Sequence, residues 1–134
     1  TVTDIVREAG VSRNSFYRNY QSIQEIITQF LEQKTSEWWN EFITCPDRHP
    51  HVISEMFCHF LNMKEEIDIL YHAGLSYLLM EHIIRCGKLS QTGEIKNTYQ
   101  TAFMSGGLCG IVNEWIVQGM KESPEKMEQI FSKQ

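Results

Sequence analysis

The side chains best suited to chemistry in this 134-residue chain stand in one short run, where Arg13, Asn14, Ser15, Tyr17, Arg18 and Asn19 follow Gly10-Val11-Ser12. Guanidinium and carboxamide groups pair with guanine and adenine edges in a major groove. On an α-helical wheel Phe16 and Tyr20 share one side and pack inward, while Asn14, Tyr17 and Arg18 occupy the neighbouring arc and Arg13 sits in the first turn. No acid lies on that arc, so residues 12–20 carry +2. The whole chain is acidic, with net charge −5, which taken alone argues against a nucleic-acid partner. Residues 1–20 hold three cations against two carboxylates, leaving −6 on the remainder. The acidity therefore lies away from the candidate reading face, and nucleic-acid binding survives the objection.

A second constellation is Cys45, His49, His51, Cys58 and His59, five thiols and imidazoles within fifteen residues. Thiolate with imidazole is zinc or copper chemistry, but the spacing fits no standard ligand pattern. Pro46 and Pro50 mark a loop, and solvated loop histidines with a buried Cys58 account for the same residues. No metal and no other cofactor is expected. Cys45, Cys58, Cys86 and Cys109 form no CxxC pair, so free thiols in a reducing, cytoplasmic setting are the simplest reading. No HExxH, nucleophile elbow or glycine-rich phosphate loop is present, and nothing points to an enzyme. No apolar run approaches the roughly 18 residues of a membrane span.

The elements that must position these groups are all helical. Thr1-Val2-Thr3-Asp4 has the form of a capping box ahead of Ile5, Val6 and Ala9, with Gly10 as the stop. The chain thus opens at a helix start, and a preceding segment is expected. Ser12 caps a second helix from Arg13 to about Asn19, and Ser22-Ile23-Gln24-Glu25 opens a long third one that ends near Pro46. Beyond Pro50 one apolar pattern runs from Val52 to Gly74, another from Leu75 to Gly87, and residues 88–93 read as a polar loop. A helix from Glu94 towards Gly119 and a last one opened by Ser123-Pro124 complete the chain. No strand pattern competes. Two short helices joined by a tight turn containing glycine form a helix-turn-helix, whose second helix enters the major groove.

The run from Thr1 to Tyr20, with its Ala9-Gly10-Val11-Ser12 turn and Phe16-Tyr17 pair, resembles the helix-turn-helix of the TetR/AcrR family of bacterial transcriptional regulators. The likeness extends through the helix capped by Ser22, and the run from Gly106-Gly107 through Asn113-Glu114-Trp115-Ile116 to Glu125 is a weaker second echo. It implies a DNA-binding head over residues 1–21 that lacks its first helix, a connecting helix over 22–44, and a helical ligand-binding and dimerisation domain over 45–134. By position Thr1, Ser15 and Tyr17 would contact phosphates, Thr3, Arg13 and Asn14 would face base edges, and Arg18 and Asn19 would do either. Many members carry a lysine where this chain has Ile23, which implies weaker non-specific electrostatics or compensation from the preceding segment.

For the body, Phe57, Phe60, Tyr71, Tyr77, Met80 and Met104 are large soft side chains able to line an apolar cavity, with His82 as a polar anchor. They are equally able to fill a core, and a satisfied core histidine explains His82. Gly106, Gly110, Asn113 and Val117 form the candidate dimer face, since small residues admit a close helix. The resulting expectation is a cytoplasmic homodimer that binds double-stranded operator DNA, acts as a repressor, and answers to a small apolar or aromatic effector without a membrane partner. Two other readings stay open: a co-activator whose body binds a protein, and a helical protein that has lost DNA binding.

Overall fold

A computed structural model describes residues 1–10, 22–89 and 95–133. The described elements are α1 (Val2–Ala9), α2 (Ile23–Ile43), a 3-10 helix (Pro46–His51), α3 (Val52–Asn62), α4 (Lys64–His72), α5 (Ser76–Leu89), α6 (Ile95–Val117) and α7 (Pro124–Ser132). No strand occurs among the described residues, and the architecture is all-α.

The capping chemistry read from the sequence sets the helix starts. The Asp4 N–H donates to Thr1 Oγ1 (3.2 Å) while the Thr1 hydroxyl donates to the Asp4 carboxylate (2.7 Å), and Gly10 closes α1 in the left-handed conformation at φ 67°. The Glu25 N–H donates to Ser22 Oγ (3.1 Å) at the start of α2, and the Lys126 N–H to Ser123 Oγ (3.2 Å) at α7.

Three boundaries differ from the expectation. The Pro46–Pro50 segment is not a loop but a 3-10 helix with proline in its first turn. The apolar pattern from Val52 to Gly74 is two helices broken at Met63. On one straight helix Ile67 would fall about 20° from Phe60 and Leu70 about 20° from Met63, so periodicity alone does not mark the break. Both residues are buried. Finally, Gly87 does not stop α5, which continues to Leu89. A Cβ at Gly87 would lie 2.2 Å from Ser105 Oγ, so the glycine is there to let α5 and α6 approach.

The core is one cluster built from Leu31 of α2, Phe57 and Phe60 of α3, Ile67 of α4, Leu79 and Ile83 of α5, Val112, Trp115 and Ile116 of α6, and Met127 of α7. Phe57 meets the Trp115 ring edge-on at 4.9 Å, and the Trp115 indole N–H donates to the Glu122 carbonyl (3.0 Å), which fixes the turn between α6 and α7. The α5–α6 and α3–α7 pairs pack closely, and α2 lies against α5.

Candidate functional site

At the head end, Thr1 and Thr3 are exposed on α1. Thr1 is the N-cap, and its hydrogen bond holds the Asp4 carboxyl below its ordinary range. Arg13, Asn14, Ser15, Tyr17, Arg18 and Asn19, the main DNA-reading expectation, lie outside the described residues. Ile23, at the departure from the lysine pattern, is the first residue of α2 and lines an apolar cleft.

The outward side of α6 exposes large apolar side chains that the core of the described residues does not cover. Tyr99 is 73% exposed, Phe103 79% and Val117 62%, although all three are apolar or aromatic. Gly106 and Gly110 stand between them on the same arc, and a Cβ added at either would meet nothing within 4 Å. From Tyr99 to Val117 this stripe spans about 27 Å at 1.5 Å per residue. Such a face, aromatic at one end and stripped of side chains in the middle, is shaped for another helix.

Of the expected dimer-face residues, Gly106, Gly110 and Val117 share this stripe. Asn113 sits at its edge and is turned inward, where its Oδ1 accepts from the Tyr71 hydroxyl (2.7 Å) and joins α6 to α4. Burial pushes the Tyr71 hydroxyl pKa up. Tyr99, Phe103, Trp115 and Ile116 all lie on the one helix that the sequence predicts from Glu94 towards Gly119. The structure divides them, Trp115 and Ile116 into the core and Tyr99 and Phe103 into solvent. An apolar surface on both sides of a helix is the signal that two partners are needed.

The seven expected pocket residues are not brought together around one cavity. Phe57 and Phe60 are packed within the core, Tyr77 and Met104 are exposed at 45% and 51%, and Met80 is half-buried against the core. Tyr71 is committed to Asn113 as described. His82 is buried, with Nε2 2.6 Å from Thr35 Oγ1 and Cys86 Sγ at 3.6 Å, so it acts as a core tie between α5 and α2. Burial, helped by the Arg85 cation, lowers its pKa from the ordinary 6.5 and keeps the imidazole neutral.

The cysteine–histidine run is likewise dispersed. His49 packs on Phe42 at 5.0 Å, His59 stacks on Trp38 at 5.4 Å, and His51 Nδ1 lies 3.3 Å from Glu128. Arg48 pairs with Glu55, and burial raises the Cys58 thiol pKa. No group of three or more potential ligands among the described residues is arranged to hold a metal. No described helix is long and apolar enough to cross a membrane.

A TetR family model, described as a transcriptional regulator C-terminal region, matches residues 47–133. No curated protein and no solved structure matches the chain.

Proposed function

The chain belongs to the TetR family of transcriptional regulators, and on that premise we propose that it is a cytoplasmic, sequence-specific DNA-binding repressor. It acts as a homodimer on a palindromic operator and is modulated by a small-molecule effector. The observation that carries this reading is the outward stripe of α6, Tyr99, Phe103, Gly106, Gly110 and Val117, with no partner among the described residues. A two-fold pairing of that face covers it with its own copy. It also gives a pair of recognition helices a fixed separation, as reading two half-sites one DNA turn apart requires.

In this reading Thr1, Ser15 and Tyr17 hold phosphates, Thr3, Arg13 and Asn14 meet base edges, and Arg18 and Asn19 serve either purpose. Residues 1–21 are the head, 22–44 the connecting helix, and 45–134 the body. A ligand that favours a body conformation with the wrong head separation removes the protein from DNA by shifting populations.

The test is fluorescence anisotropy of the full-length protein on DNA from immediately upstream of its own gene, across a salt series. Tight binding that is abolished by Tyr17→Ala/Arg18→Ala, with log K falling against log salt by about 0.9 per phosphate contact, supports the reading. Absence of binding at low salt on this DNA and on pooled genomic fragments refutes it.

A further inference from the structure

We propose that the seam between α2 and α5 is a proton-operated switch, in which uptake of a proton by His82 loosens α2 from the body. The ring is 4% exposed and stands between the two helices. Its Nε2 lies 2.6 Å from Thr35 Oγ1 of α2, and its Nδ1 lies 3.5 Å from Arg85 Nη2 of α5. A guanidinium nitrogen can only donate, so Nδ1 accepts and the proton of the neutral ring sits on Nε2, which donates to Thr35. The polar part of the seam is thus built for one tautomer of an uncharged imidazole.

A second proton removes that arrangement. It goes to Nδ1, the atom that faces Arg85, and leaves two cationic donors opposed with no acceptor between them. Arg85 can swing away, because its Nε already lies 3.6 Å from the Glu32 carboxylate of α2. The ring has no such exit. A buried imidazolium with no carboxylate bonded to it among the described residues loses its hydration uncompensated, and the seam opens to let water reach it.

The groups that face the ring are Arg85 and Cys86 of α5, Glu32 of α2 and His59 of α3, a second imidazole whose protonation His82 disfavours. Tyr71 of α4 and Cys109 of α6 are bonded elsewhere, to Asn113 and to the Met80 carbonyl. Burial and then the Arg85 cation lower the ring's pKa from the ordinary 6.5, against the pull of Glu32. The neutral form therefore holds the seam at neutral pH, and acid releases it.

Position makes the release consequential. α2 starts at Ile23, directly after the run that carries the DNA-reading expectation, and Thr35 lies in its interior. Operator binding should weaken in acid, against the general tendency of added positive charge to favour a polyanion. That consequence rests on the proposed DNA-binding function; the opening of the seam does not.

The experiment is hydrogen exchange of the full-length protein without DNA at pH about 7.5 and about 5.5, corrected for the intrinsic pH dependence of exchange. Peptides containing Thr35 and His82 should lose protection at the lower pH. His82→Gln keeps one donor and one acceptor but cannot titrate, and should abolish the loss. Arg85→Ala, at a half-buried position, is the independent variant: without the cation the midpoint of the loss should move to higher pH. Equal protection at both pH values, a loss shared by every helix, a loss that persists in His82→Gln, or a midpoint that Arg85→Ala does not raise overturns the proposal. Operator affinity is measured separately by anisotropy. Linked uptake of one proton gives at most about a tenfold fall per pH unit, expected for the unaltered protein and absent in His82→Gln. Loss of protection without operator binding at either pH refutes the regulator reading alone, whereas operator binding with unchanged protection refutes the switch.

Discussion

Replacing Phe103 by alanine is expected to dissociate the proposed dimer and leave the subunit folded. Phe103 is 79% exposed in the isolated chain, so its ring contributes little to the fold and nearly all of its surface is available to a partner. Fully burying a phenylalanine side chain contributes about 1.5–3 kcal/mol. A two-fold interface contains the residue twice, which makes the loss about 3–6 kcal/mol per dimer. That corresponds to a rise of roughly a hundredfold to ten-thousandfold in the dissociation constant. Sedimentation velocity over a dilution series reads the dissociation constant, and thermal melting at low concentration reads the subunit. A dissociation constant unchanged by Phe103→Ala would show that the α6 stripe is not the dimer face. A variant that melts well below the unaltered monomer would show that Phe103 packs within its own chain, and the reasoning from exposure would fail.

The α5–α6 contact and the imidazoles of buried His82 and half-buried His59 give two further predictions. Gly87→Ala places a methyl 2.2 Å from Ser105 Oγ and 3.3 Å from its Cβ, and overpacking of this kind costs about 1–3 kcal/mol. Adding Ser105→Ala removes the nearer atom and should recover part of the loss in urea unfolding; equal losses in both backgrounds would contradict a close approach at this point. His82 and His59 both have pKa values lowered from the ordinary 6.5, chiefly by burial. The folded state thus prefers the neutral rings, while the unfolded chain takes up protons first as pH falls. Stability is full above the ordinary histidine value and declines below it, by at most about 1.4 kcal/mol per pH unit for each ring. Urea unfolding at pH about 7.5 and about 5.5 should show the loss, and His82→Gln should shrink it. An unaltered pH dependence in that variant would remove His82 as a cause.

Much of the architecture was legible in the sequence because helix ends are written in local chemistry. Thr1 with Asp4, Gly10, Ser22 and Ser123-Pro124 each satisfy or terminate backbone groups within four residues, and the structure uses all of them. The resemblance carried by the run from Thr1 to Tyr20 led to the same family as the match over residues 47–133, two different parts of the chain. One local signal misled because of a distant neighbour. Gly87 looks like a helix stop until Ser105 is seen to occupy the space of its missing side chain. The segment from Val52 to Gly74 carries one continuous apolar pattern, yet the chain breaks it into two helices at Met63.

The sequence alone determined the all-α class, most helix starts and the concentration of cationic and carboxamide side chains in residues 13–19, since periodicity, caps and charge are local properties. Only the tertiary structure decided which apolar residues are core and which are surface. Composition treats Phe57 and Phe103 alike, but Phe57 lies inside against Trp115 and Phe103 faces solvent. It likewise made His82 a tie to Thr35 and placed Ile23 and Ile69 in the lining of one apolar cleft. Burial depends on which helices pack together, and that pairing joins residues far apart in the chain, beyond the reach of any local pattern.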